Sequence, residues 1–149
     1  MRSNLSLLIV VGVALIGLSA CSPPGTNVSY NGDEIVVKDP NGTVTAKAGK
    51  TPYPSDLPVP MYPGSEMIVT ASDTDAKSSA KSMAMLKSMD ATDKIMTFYK
   101  DKLTAAGWTI DNSLSGQMSF ISAKSGSQSI NISIIDGGKD GSTISVGLQ

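Results

Sequence analysis

Ser129-Ile130-Asn131-Ile132-Ser133-Ile134-Ile135, followed after a glycine-rich turn by Thr143-Ile144-Ser145-Val146-Gly147-Leu148, decides the fold. Both stretches alternate with a period of two. Ile130, Ile132 and Ile134 share one face of a strand, and Asn131 and Ser133 the other; Ile144, Val146 and Leu148 oppose Thr143, Ser145 and Gly147 in the same way. A sheet with one apolar face and one Ser/Thr/Asn face needs a single covering layer. Gly126 and Asp136-Gly137-Gly138 mark hairpin turns, and Trp108–Asp111 and Met118–Lys124 read as the two strands before them.

The cover is a helix expected over residues 91–106. Ile95, Phe98, Tyr99, Lys102, Leu103 and Ala106 follow three/four spacing, with only Lys102 polar and its stem able to lie along apolar surface. Asp90 is placed to N-cap it, with Asp93 at the third position, and Gly107 suits the residue after its C-cap. Working upstream, Ala80–Met89 reads as a strand, although its Met, Ala and Leu would also suit a helix. Asp73–Ser79 is a polar loop and Glu66–Ser72 another strand. The expected fold class is therefore α+β: a two-layer sandwich of an antiparallel sheet covered by one helix.

Five prolines between Pro52 and Pro63 forbid helix and favour extended chain, which reads as a stiff linker rather than a docking strip. Before it, Asn31-Gly32 and Asp39-Pro40-Asn41-Gly42 are turn signals between short strands, Glu34–Lys38 and Thr43–Lys47 among them. The expected organisation is a signal segment over 1–20, a tether over 21–26, a small β-meander over 27–49, a Pro-rich linker over 50–64 and the α+β domain over 65–149.

At the N-terminus, Arg2 precedes an apolar run from Leu5 to Leu18 that is too short for a comfortable transmembrane helix and fits a secretory signal. Leu18-Ser19-Ala20-Cys21 resembles the lipobox of bacterial cell-envelope lipoproteins. That resemblance implies cleavage before Cys21, diacylglycerol on its thiol and acylation of the new amine. Two or more acyl chains hold a protein stably at a bilayer where one does not. Ser22 in place of an aspartate implies outer-membrane sorting, facing the periplasm, in a host with two membranes; otherwise the protein lies on the outer face of the cytoplasmic membrane.

Asp56-Leu57-Pro58-Val59-Pro60-Met61-Tyr62-Pro63-Gly64, then Phe98-Tyr99 and Leu103, then Gly107-Trp108, resemble a recurring envelope-lipoprotein domain in which a D-L-P-x-Y-P-G type segment leads into strands, a helix ending in G-W and a meander. These motifs are structural punctuation and imply fold and location, with no catalytic residue carried over.

The chemistry available is narrow. With no histidine, the chain lacks His-based acid–base catalysis, Ser-His-Asp triads and His metal sites. A net charge of −1, with lysines scattered along the chain, gives no nucleic-acid field. The single cysteine, Cys21, forms no internal disulfide. Asp73 and Asp75, and Asp136 and Asp140, lack the spacing of a Ca²⁺ loop. Ser78 to Lys81 matches S-x-x-K in spacing alone, and Asp136–Gly141 opens a strand rather than a helix, so it cradles no phosphate. Trp108 and Tyr99 are candidate interaction anchors, although Trp108, following a C′ glycine, suits the core better. No enzyme activity and no cofactor are expected.

The reading is a lipid-anchored, non-enzymatic envelope protein with a binding or structural role. Its expected partners are the membrane, through Cys21, and an envelope protein met by the polar sheet face or a strand edge. The alternative is a small-ligand or Cu(I)-binding lipoprotein. In a strand, Met83, Met85 and Met89 would share one face, and Met96 or Met118 could complete a thioether site.

Overall fold

The computed structural model describes residues 27–39, 42–73, 82–116 and 118–149. The segments expected to be signal and tether, with Cys21, lie outside the described residues, as do the centre of the 39–42 turn, most of the 73–79 loop and Lys81.

Among the described residues, nine strands form one antiparallel sheet. They are β1 (Asn27–Asn31), β2 (Glu34–Asp39), β3 (Gly42–Ala48), β4 (Glu66–Asp73), β5 (Ser82–Ser88), β6 (Thr109–Leu114), β7 (Met118–Ser125), β8 (Gln128–Asp136) and β9 (Ser142–Leu148). One helix, α1 (Thr92–Ala105), joins β5 to β6, and the strand order is β1-β2-β3-β4-β5-β9-β8-β7-β6. The chain thus leaves the middle of the sheet through α1, lands on the far edge at β6 and returns strand by strand until β9 closes against β5. Gly32 and Gly126, each with positive φ, lead the two-residue β1–β2 and β7–β8 hairpin loops, so Asn31 is the last strand residue rather than a turn residue. Among the described residues no helix is long and apolar enough to cross a membrane.

α1 ends in a Schellman motif. Gly107 takes φ +76°, its N–H donates to the Thr104 carbonyl, and the Trp108 N–H donates to Leu103 at 2.9 Å. The start differs from expectation. Ala91 holds the N-cap position with no side-chain cap, because the Asp90 carboxylate is engaged elsewhere. α1 packs over β6, β7 and β8. Between helix and sheet, Ile95, Met96, Tyr99 and Leu103 meet Ile121, Ile130, Ile132, Ile134, Ile144 and Val146 in one core, which Trp108 also joins.

Two features correct or complete the sequence reading. First, the segment read as a linker is part of the core: Leu57, Val59 and Tyr62 are buried in it, and Tyr53 and Met61 pack against it. The prolines keep this strap out of helix, and Leu57, Val59 and Tyr62 dip from it into the sandwich. Second, the short meander strands, which the sequence left either partly ordered or leaning on the main domain, lean on it. β3 pairs with β4 from Val44↔Asp73 to Ala48↔Val69, so the two sheets are one.

The single sheet also has two apolar faces rather than one. Cross-strand rows make this plain. On the helix side, Glu34, Lys47 and Thr70 line up with Ala84, Val146, Ile132 and Ile121, a row that is polar over β2–β4 and apolar from β5 onward. On the opposite side the row Tyr30, Ile35, Ala46, Ala71, Met83 continues as Gly147, Asn131 and Ser122, apolar over β1–β5 and polar beyond. Val28, Val37 and Val44 form a second row on that side, and Ala48, Val69 and Met85 a third. The apolar face changes sides at β5. This strand therefore carries Ala84 and Leu86 towards the helix and Met83 and Met85 away from it. Methionine in that strand is explained by its position at the crossover, where both faces must be apolar.

Candidate functional site

The start of α1 is where distant parts of the chain converge. Tyr62, at the end of the strap, donates its hydroxyl to Asp90 Oδ2 at 2.7 Å, across 28 residues of sequence. Its ring meets Phe98 edge-on at 5.1 Å and Tyr99 at a tilt at 6.2 Å. Lys94 Nζ lies 2.9 Å from the same Asp90 oxygen. The Asp90 N–H bonds to Ser88 Oγ and its carbonyl accepts from Ser142 Oγ, which ties the end of β5 to the start of β9. Asp90 is thus the knot of a latch that fastens strap, helix and sheet.

The electrostatics follow from these partners. The Lys94 ammonium and then the Tyr62 hydroxyl hold the Asp90 carboxyl below its ordinary range. Burial, reinforced by the neighbouring Asp90 carboxylate, pushes the Tyr62 phenol up to about 12. Burial raises Tyr53 and Tyr99 further still. Both of those hydroxyls are enclosed, and that of Tyr99 approaches the Tyr62 main chain without completing a well-formed hydrogen bond.

The Tyr62 value has a consequence for alkaline stability. A phenol raised from 10.0 to about 12 adds stability that is whole below pH 10 and is lost as pH climbs towards 12. Tyr62→Phe should cost about 1–2 kcal/mol at neutral pH, the worth of a hydrogen bond to a charged acceptor. Thermal melts of the two proteins should converge between pH 10 and pH 12; a constant gap across that range contradicts the latch.

Beside the latch an open cleft of about 490 Å³ is bounded by Met89, Asp90, Thr92, Asp93, Gly116, Asp136, Gly138 and Ser142. Its walls come from the end of β5, the first turn of α1, the β6–β7 connection and the β8–β9 turn. Three carboxylates face it. Asp90 is committed to the latch and Asp136 Oδ1 accepts the Gly138 N–H at 2.8 Å, while Asp93 stands exposed in the first helical turn. Thr92 Oγ1 is enclosed beneath the cleft without a hydrogen-bond partner. Among the described residues no three His, Cys, Asp or Glu side chains are disposed to hold a metal ion.

The methionines expected to form a thioether stripe do not assemble. Met83 and Met85 share the face away from the helix. Met89 lies past the strand in a bend, 73 % exposed, on the cleft beside Gly141. Met96 is buried on the helix side of the sheet, and Met118 is exposed three strands from β5, on β7. Trp108 and Tyr99 are core residues. The latch was missed from sequence because Asp90 reads as an N-cap; the signal available was Tyr62 within the D-L-P-x-Y-P-G type segment.

One antiparallel sheet with a helix packed on one side and a cleft at the helix start is a fold of the sheet-plus-helix, α+β class. A family model described as START domain-like matches residues 68–145, more than half of the chain, and the chain belongs to this START domain-like family. Such domains are typically ligand-binding rather than catalytic. The match runs from β4 to β9 and includes α1, leaving β1–β3 and the strap outside it. No curated protein and no solved structure matches the chain.

Proposed function

We propose that the protein is a lipid-anchored, non-enzymatic component of the bacterial envelope whose START-like domain binds a small polar ligand in the cleft at the start of α1. The observation that carries the binding site is the cleft itself: about 490 Å³, opened by four converging elements, with carboxylates on its wall. That volume is within the range of small-ligand sites. Asp93 and Asp136 favour a ligand with an ammonium or amide donor, while the first turn of α1, which has no side-chain cap, presents N–H donors to an acceptor on the ligand. The support for the anchor is Leu18-Ser19-Ala20-Cys21 after a short apolar run. In a two-membrane host, the domain faces the periplasm from the outer membrane.

Two measurements test this. Mass spectrometry of the native protein should find residues 1–20 removed and a diacylglyceryl group on Cys21. Thermal melts with a panel of amines, zwitterions and anions should show stabilisation by the first two classes. A ligand at 100 times its Kd adds roughly 2.7 kcal/mol. Combining Asp93→Asn with Asp136→Asn should remove that gain. Equal stabilisation by anions, or a gain that survives both substitutions, sinks the cleft.

A further inference from the structure

Among the described residues, no layer corresponding to the helix covers the three apolar rows on the face of β1–β5 away from α1: Tyr30 is 63 % exposed and Val44 41 % exposed. Their neighbours Val37, Val69 and Met85 are only half-buried. Charged side chains on this face stand at the ends of β4, where Glu66 pairs in register with Lys87 and Asp73 with Val44. A contiguous apolar patch of this kind on a small domain marks a contact surface. Five strands spaced ~4.8 Å apart and about four residues along each give it roughly 350 Å². A stable dimer interface needs about 800 Å² from each partner, so a second copy packed face to face is a poor occupant.

The position of the patch in the chain points to a better one. β1 begins at Asn27, six residues after Cys21. Six residues reach at most roughly 20 Å, against roughly 40 Å for the width of a nine-stranded sheet. An anchor at Cys21 therefore holds the β1 side of the sheet near the headgroups and leaves β6–β8 and α1 distal. The half of the sheet held close is the half whose outer face is apolar. We infer that this face lies on the bilayer, a second contact added to the acyl anchor. A modest patch suffices here because the tether has already confined the domain to the surface. The inference rests on the lipid-anchor reading of Cys21 and does not depend on what the cleft binds.

The test uses the native lipidated protein, purified in detergent and reconstituted into phosphatidylcholine nanodiscs at one copy per disc. Once Cys21 is acylated, an introduced cysteine is the sole free thiol. Nitroxides are placed by Tyr30→Cys or Val37→Cys on the apolar rows and by Ser133→Cys on the polar part of the same face. On reconstitution, access of a water-borne relaxant to positions 30 and 37 should fall about 5-fold or more, as expected for side chains in the headgroup–acyl boundary. Position 133 should not change. Equal access at all three positions in a protein that still partitions with detergent overturns the membrane face and spares the anchor. Protection that arises only when two copies share a disc assigns the face to a second copy and also overturns it. A thiol at Cys21 that remains open to labelling overturns the anchor and the face together.

Discussion

Tyr62→Ala should cost about 3–5 kcal/mol of folding free energy, the range for truncating a buried aromatic ring. The ring is almost fully enclosed, packs against Phe98 and Tyr99, and carries the hydroxyl that fastens the strap to Asp90. Truncation removes the aromatic contacts and the latch and leaves a hole beneath a segment that has no strand pairing to hold it. Small domains have only 5–15 kcal/mol of stability in all, so Tm should fall on the order of 10 °C or more. The control is Pro60→Ala in the same segment, where the side chain is exposed and the effect should be under about 0.5 kcal/mol. Urea melts of both variants decide the matter. A loss below about 1 kcal/mol for Tyr62→Ala would mean that the segment is a linker after all.

The part of the fold legible in the sequence is the part fixed by local pattern. Isoleucines at 130, 132 and 134 and the 144/146/148 set declare their face without reference to any other strand, and Gly107-Trp108 after Leu103 declares the helix end. The change of apolar face at β5 is different in kind. Within β2 and β3, Ile35-Val36-Val37 and Val44-Thr45-Ala46 name no clear inside. Which face they share with Ile132 depends on register carried through β4, β5 and β9. A one-residue shift exchanges the two faces, so no reading of the strands one at a time could place them. The methionines of β5 were legible as unusual but not as the consequence of a strand apolar on both sides.

The site was less legible for a similar reason. Five prolines announce an extended segment, yet extended chain packs or spans according to where its apolar side chains land, and Leu57, Val59 and Tyr62 land in the core only because β3–β4 pairing returns the chain across the sandwich. Asp90 had two possible uses, as an N-cap or as an acceptor for Tyr62 and Lys94. A charged pair and a phenol together offer more than one backbone N–H, and the cap was left to Ala91. Of the carboxylates weighed from sequence, Asp136 lies on the cleft and Asp75 lies outside the described residues; Asp90 and Asp93, read as helix punctuation, face the cleft as well.

The floor of that cleft rests on a glycine that the sequence presents merely as one of several in a turn. Gly141 has φ +81° and ψ −176°, a conformation essentially closed to other residues. A Cβ there would collide with the Ser88 carbonyl oxygen and sit 2.9 Å from Met89 Sδ. The methionine end can swing aside, but the carbonyl cannot, because Ser88 is held in register with Ser142 at the junction of β5 and β9. Gly138, two residues into the same turn region, also has positive φ (+59°) but open space around the missing Cβ. Gly138→Ala should therefore cost only the left-handed backbone penalty, about 1–2 kcal/mol. Gly141→Ala adds a main-chain collision to its strain and should cost about 3 kcal/mol or more. Because the Ser142–Asp90 hydrogen bond is next to the displaced backbone, Gly141→Ala should also loosen the latch. Its loss should partly overlap that of Tyr62→Phe in the double variant, whereas Gly138→Ala and Tyr62→Phe should add. Equal losses for the two glycines in urea melts would show that β5 and the turn are free to part, and that the cleft has no fixed floor.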